Sequence, residues 1–97
     1  MTLHLPEIFE KRLRSHIDFA TFHLLDMVVT SDNKSIVFLI PREPNGLFNI
    51  QVNDESKYYG DFNGMMEYAL HFKLISESYK NTLTKRYLKF KGDIKNV

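Results

Sequence analysis

Residues Ser35 to Ile40 constrain the fold of this chain more than any other stretch. Ile36, Val37, Phe38, Leu39 and Ile40 are apolar without a break. A strand turns successive side chains to opposite faces, so a run of this kind needs cover on both sides. Pro41 ends it, because proline has no N–H for the ladder. The spacing therefore predicts a central strand over 35–40, with layers packed above and below.

The neighbouring segments are read outward from that strand. Ser31-Asp32-Asn33-Lys34 is a hairpin signal, since Asp and Asn tolerate left-handed backbone conformations. Residues 19–30 fit a helix through Ile17, Ala20, Leu24 and Val28, and they also fit a strand. The hairpin decides for a strand near 21–30. On the other side, Glu43-Pro44-Asn45-Gly46 reads as a turn in which Pro presets φ and Asn-Gly accepts positive φ. Phe48, Ile50 and Val52 then share one face of a third strand, with Asn49, Gln51 and Asn53 on the other. That half-polar alternation marks a one-sided or edge strand. Residues 53–60, NDESKYYG, read as a polar loop.

Helical spacing frames the sheet. Pro6 suits a first helical position, and Phe9, Leu13 and Ile17 make a stripe up to Asp18. Asp61 or Asn63 can cap a second helix over about 63–80. Its stripe is Met65, Tyr68, Phe72, Ile75, Tyr79 and Leu83, widened by Leu70 and Leu74. Residues 82–91 continue that helix to Gly92, or form a short C-terminal strand. With 97 residues, one core is all the chain can build. The expectation is a single α+β domain over 1–97: helix, three-stranded antiparallel meander, helix. That order also occurs in double-stranded RNA-binding domains. The residues differ, because no basic loop of the GxG type joins the strands and no lysine cluster opens the last helix.

Several chemistries lack their residues. There is no cysteine, hence no disulfide, thiolate nucleophile or Cys-based zinc site. This fits a reducing, cytoplasmic setting. No run approaches the length of a membrane span, and MTLHLPEIFEKR lacks the basic and apolar regions of a signal peptide, so no membrane association is expected. Glycines 46, 60, 64 and 92 open no phosphate loop. Gly60-Asp61-Phe62-Asn63-Gly64 reads as the approach to a helix. His4, His16, His23 and His71 show no zinc spacing, no serine stands in GxSxG, and Asp54-Glu55 sit in polar surroundings. The expectation is a non-enzymatic protein with no metal and no cofactor.

Binding is where the sequence is uneven. Tyr58 and Tyr59 stand in a polar stretch beside Phe62, Met65 and Met66. Tyrosine is a large, rigid interface anchor and methionine adapts to irregular partners. These five residues are the candidate protein-binding set, for another chain or a second copy of this one, as in an adaptor, small subunit or inhibitor. Charge supplies an alternative. Residues 1–60 hold six Lys/Arg against eight Asp/Glu, and 61–97 hold seven against four. Lys85, Arg86, Lys89 and Lys91 surround Tyr87 and Phe90, a pattern that can hold phosphates and stack bases. On one helical face only two or three of the four cations align, and the pI of about 8.0 lies below that of dedicated nucleic-acid modules, so that binding would be weak. Asn, Lys, Ile, Tyr and Phe make up 36 of the residues, a bias usual for AT-rich genomes, among them those of phages and mobile elements.

Overall fold

The computed structural model describes residues 2–3, 15 and 17–95. Strand β1 is Thr2–Leu3, β2 Phe22–Thr30, β3 Ser35–Pro41, β4 Phe48–Val52 and β5 Glu55–Gly60. Helix α1 is Phe62–His71 and α2 is Glu77–Lys95. The strands form one antiparallel sheet in the order β1-β2-β3-β4-β5, a meander with a two-residue strand at one edge. The α+β class stands. The two helices with given bounds, α1 and α2, follow the sheet, and β1 and β5 add two strands to the expected three. The expected helix from Pro6 lies outside the described residues except at Ser15, which is helical, and at Ile17 and Asp18, which are not. Asp18 instead closes the turn into β2, accepting hydrogen bonds from Ala20 N–H (3.1 Å) and Thr21 Oγ1 (2.6 Å).

Strand β3 is central, as its composition requires. Ile36, Phe38 and Ile40 point to one face and are buried with Leu25, Val28 and Ile50 beneath Met65, Met66, Ala69, Leu74, Ile75 and Leu83 of the helical layer. Val37 and Leu39 point the other way and pack with Ile17, Phe22, Leu24 and Met27. The hairpin turn between β2 and β3 uses Asn33 at φ 63°. The Glu43–Gly46 turn closes through Gly46 N–H to Glu43 O at 3.0 Å. It does so without positive φ at Asn45 or Gly46, so proline at the second position carries the expected turn and the positive φ that Asn-Gly would accept is not used.

The polar stretch 53–60 is a strand for a local reason. Asn53 and Asp54 both take positive φ, 51° and 69°. Two such residues form the tight turn whose twist matches a hairpin. Tyr59 then pairs with Asn49, and Tyr58 with Ile50. A strand at the sheet's edge with a solvent-facing side needs few apolar residues, which is why its sequence resembles a loop.

The long helical stripe is broken in the middle. Lys73 adopts φ 57°, Lys73 N–H reaches Leu70 O and Leu74 N–H reaches Ala69 O at 2.8 Å. This is a Schellman ending, with lysine in the left-handed position that glycine usually fills. Leu74 and Ala69 are both buried, the apolar contact that accompanies the motif. Ser76 then caps α2 by accepting Tyr79 N–H at 3.1 Å. From there the helix runs through 82–91, so the alternative C-terminal strand is not formed.

Strand β2 carries a bulge. Leu24 pairs with Leu39 and Asp26 with Phe38, leaving Leu25 extra. A bulge puts two successive side chains on one face. Leu25 enters the core, and Asp26 meets α2. The Asp26 carboxylate accepts the Tyr79 hydroxyl and lies 3.0 Å from Arg86 Nη1. Burial, and then the hydrogen bond to Asp26, push the Tyr79 phenol far above its ordinary range.

Candidate functional site

The five residues of the protein-binding set separate in three dimensions. Met65 and Met66 are 0% and 2% exposed and belong to the core. Their side of α1 faces the sheet, so they offer no surface to a partner. Tyr58 is also turned inward. Its hydroxyl donates to Asp61 O at 3.2 Å, and its ring lies 5.5 Å from that of Tyr68. Gly60 and Gly64 make this possible, because a Cβ on either would overlap the Tyr58 hydroxyl. Tyr59 is 59% exposed on the sheet face opposite the helices. Phe62 opens α1, which Asp61 caps by accepting Gly64 N–H at 2.7 Å.

Phe62 is the member of that set around which a cleft forms. Its ring stacks on Tyr87 at 4.2 Å with 20° between planes. Phe48 meets both rings edge-on, at 5.8 Å and 5.3 Å. These offset and T-shaped arrangements suit the aromatic quadrupole and hold the rings in place. Together with Asp61, Asn63, Thr84, Leu88 and Lys91 they line a cleft of about 400 Å³ between the start of α1 and the middle of α2. Lys91 Nζ stands 5.4 Å from the Tyr87 ring centre, within reach of a cation–π attraction. Burial raises the Tyr87 phenol above its usual range, so it stays protonated. Leu88, 58% exposed, forms an apolar lip.

The cleft thus joins one residue of the first candidate set, Phe62, with Lys91 of the second. Arg86 is withdrawn from the second set by Asp26. Lys85 and Lys89 stand exposed on α2. Phe90 is half-buried with its ring against His23 at 4.8 Å. Leu88 was not among the candidates. Its signal was present in the sequence, as a leucine off the stripe of Leu83, Tyr87 and Phe90 and among lysines.

A larger and more polar hollow, about 540 Å³, lies where the β2–β3 turn meets the α1–α2 connection, lined by Thr30, Asp32, Lys34, Lys73, Ser76 and Tyr79 among others. Its polar groups largely satisfy one another. Thr30 donates to Asp32, Lys34 Nζ lies 4.0 Å from Asp32, and the Tyr79 hydroxyl is held by Asp26. The aromatic cleft is the better candidate because its rings and Leu88 remain partly in water. Strand β5 is less suited to pairing with another strand. Lys57 is bulged out of register and ion-paired with Glu55 at 2.9 Å, features that blunt a sheet edge.

Of the described histidines, His23 has Arg42 Nη1 at 3.3 Å and His71 the Phe72 ring. Neither lines either hollow. Among the described residues no three His, Asp or Glu side chains are placed to hold a metal ion, and no helix is long and apolar enough to cross a membrane. The class these features define is a small α+β domain with an aromatic cleft on its helical side. No family model, no curated protein and no solved structure matches the chain.

Proposed function

We propose that this chain is a non-enzymatic protein-binding module whose contact surface is the cleft of Phe48, Phe62, Tyr87 and Leu88. One observation carries the reading: a preformed group of three rings lies open beside an exposed leucine. Interface anchors are aromatic and apolar groups seated in well-packed pockets, and rings already held by one another lose little freedom on binding. A partner's apolar side chain placed over Phe62 and Tyr87 would cover Leu88 at the same time. The test is selection of a phage-displayed random-peptide library on the immobilised chain. Enriched peptides should bind the wild type and lose affinity on Leu88→Ser, a substitution at an exposed site. They should be indifferent to Tyr59→Ala. Peptides that tolerate Leu88→Ser and fail on Tyr59→Ala would move the site to the opposite sheet face.

A further inference from the structure

Leu88 is an apolar side chain set among lysines. Residues three apart on a helix are neighbours, so Lys85 and Lys91 bracket Leu88 along the surface of α2. Lys89 adjoins it in sequence and is also exposed. Among the described side chains, no carboxylate lies within ion-pair distance of these three ammonium groups, whereas Arg86 is paired with Asp26. The other charge at the cleft, Asp61, turns a carboxylate oxygen to Gly64 N–H and the start of α1. An apolar side chain reaching Phe62 and Tyr87 therefore passes between cations that no described side chain pairs.

We infer that the partner is an acidic peptide segment, a large apolar anchor with Asp or Glu a few residues to either side. The inference rests on the cleft being the binding surface and adds the chemistry of what enters it. Carboxylates brought to Lys85 and Lys91 form charge-assisted hydrogen bonds and steer the encounter. A nucleic acid also brings anions, but the rings do not favour it. Phe62 and Tyr87 are stacked on each other, Phe90 is turned onto His23, and Leu88 gives a base no π-face to stack on.

The experiment uses the full chain, the same random-peptide library, and a labelled single-stranded oligonucleotide in parallel. Enriched peptides should combine Leu, Phe or Trp with flanking acids. A synthetic enriched peptide should bind about tenfold more weakly to the Lys85→Glu, Lys91→Glu double variant, with the melting temperature held, and should weaken as salt rises. Peptides that are lost on Leu88→Ser yet carry no acids and ignore the lysine reversals would overturn the acidic partner and leave the cleft standing. Enrichment of nothing sensitive to Leu88→Ser would overturn both. Tighter binding of the oligonucleotide than of any enriched peptide, abolished by the lysine reversals, would overturn the peptide in favour of nucleic acid.

Discussion

Tyr79→Phe removes one oxygen atom and tests how α2 is fastened to the sheet. The lost bond runs from a half-buried phenol to the Asp26 carboxylate, whose side chain is 19% exposed. Hydrogen bonds to a charged group contribute about 1.5–3 kcal/mol. Asp26 keeps Arg86 as a partner in the variant, which places the loss in the lower half of that range, about 1.5–2 kcal/mol. At about 4–8 °C per kcal/mol for a domain of this size, the melting temperature should fall by roughly 6–16 °C. Asp26→Ala should cost more, roughly 2–4 kcal/mol, because it strands both the phenol and the guanidinium; the usual penalty for breaking a buried pair is reduced because Arg86 is 48% exposed. In the Asp26→Ala background, Tyr79→Phe should then be nearly neutral. Urea unfolding followed by far-UV circular dichroism measures all four corners of the cycle. A Tyr79→Phe effect below about 0.5 kcal/mol, or simple additivity, would refute the linkage of bulge to helix.

Three further outcomes are expected. Asn49 is 1% exposed and its Oδ1 has no hydrogen-bond partner among the described residues; an unsatisfied buried acceptor costs about 1–3 kcal/mol, so Asn49→Leu should raise the urea midpoint, and a lower midpoint would show that the site needs an amide. Gly64→Ala should displace the Tyr58 ring and cost about 1–3 kcal/mol by overpacking, whereas Gly92→Ala, where a Cβ meets nothing within 4 Å, should gain about 0.5–1 kcal/mol in the same unfolding assay. Burial, and then the Arg42 guanidinium, hold the His23 imidazole below its ordinary range. Its folded form is therefore neutral-favouring: the contribution is fully present above about pH 6.5 and is lost as pH falls below that unfolded-state value. Unfolding midpoints measured from about pH 7.5 down to about pH 5 should show a decline that His23→Gln reduces.

What the sequence made legible was whatever a local pattern could specify. The IVFLI run places β3 between two layers, the Asp32-Asn33 signal places the first hairpin, and Asp61, a cap by its side chain and position, accepts Gly64 N–H. The errors have physical causes. Strand β5 reads as a loop because an edge strand needs no continuous apolar face, and its turn uses Asn53-Asp54 rather than a glycine pair. The helix break at Lys73 is invisible in the stripe, because Leu74 and Ile75 remain buried on both readings while a non-glycine residue takes the left-handed position. The candidate site suffered from the same locality. Tyr58, Tyr59, Phe62, Met65 and Met66 are adjacent in sequence, but strand alternation, two glycines and the buried side of α1 send them to different places. The cleft is assembled from Phe48, Phe62, Tyr87 and Leu88, which no linear window joins. Arg86 could be separated from Lys85 and Lys89 only once the bulge in β2 had placed Asp26 beneath it.

Amide chemical-shift mapping by NMR tests the central claim most directly. An enriched acidic peptide is titrated into the isotopically labelled chain, and the perturbed residues are located. Binding at the cleft predicts shifts concentrated at Phe48, Asp61 to Asn63, and Thr84 to Lys91, saturating together at one affinity. Shifts centred on Tyr59 and the face of the sheet opposite the helices, with Phe62 and Leu88 unmoved, would contradict it.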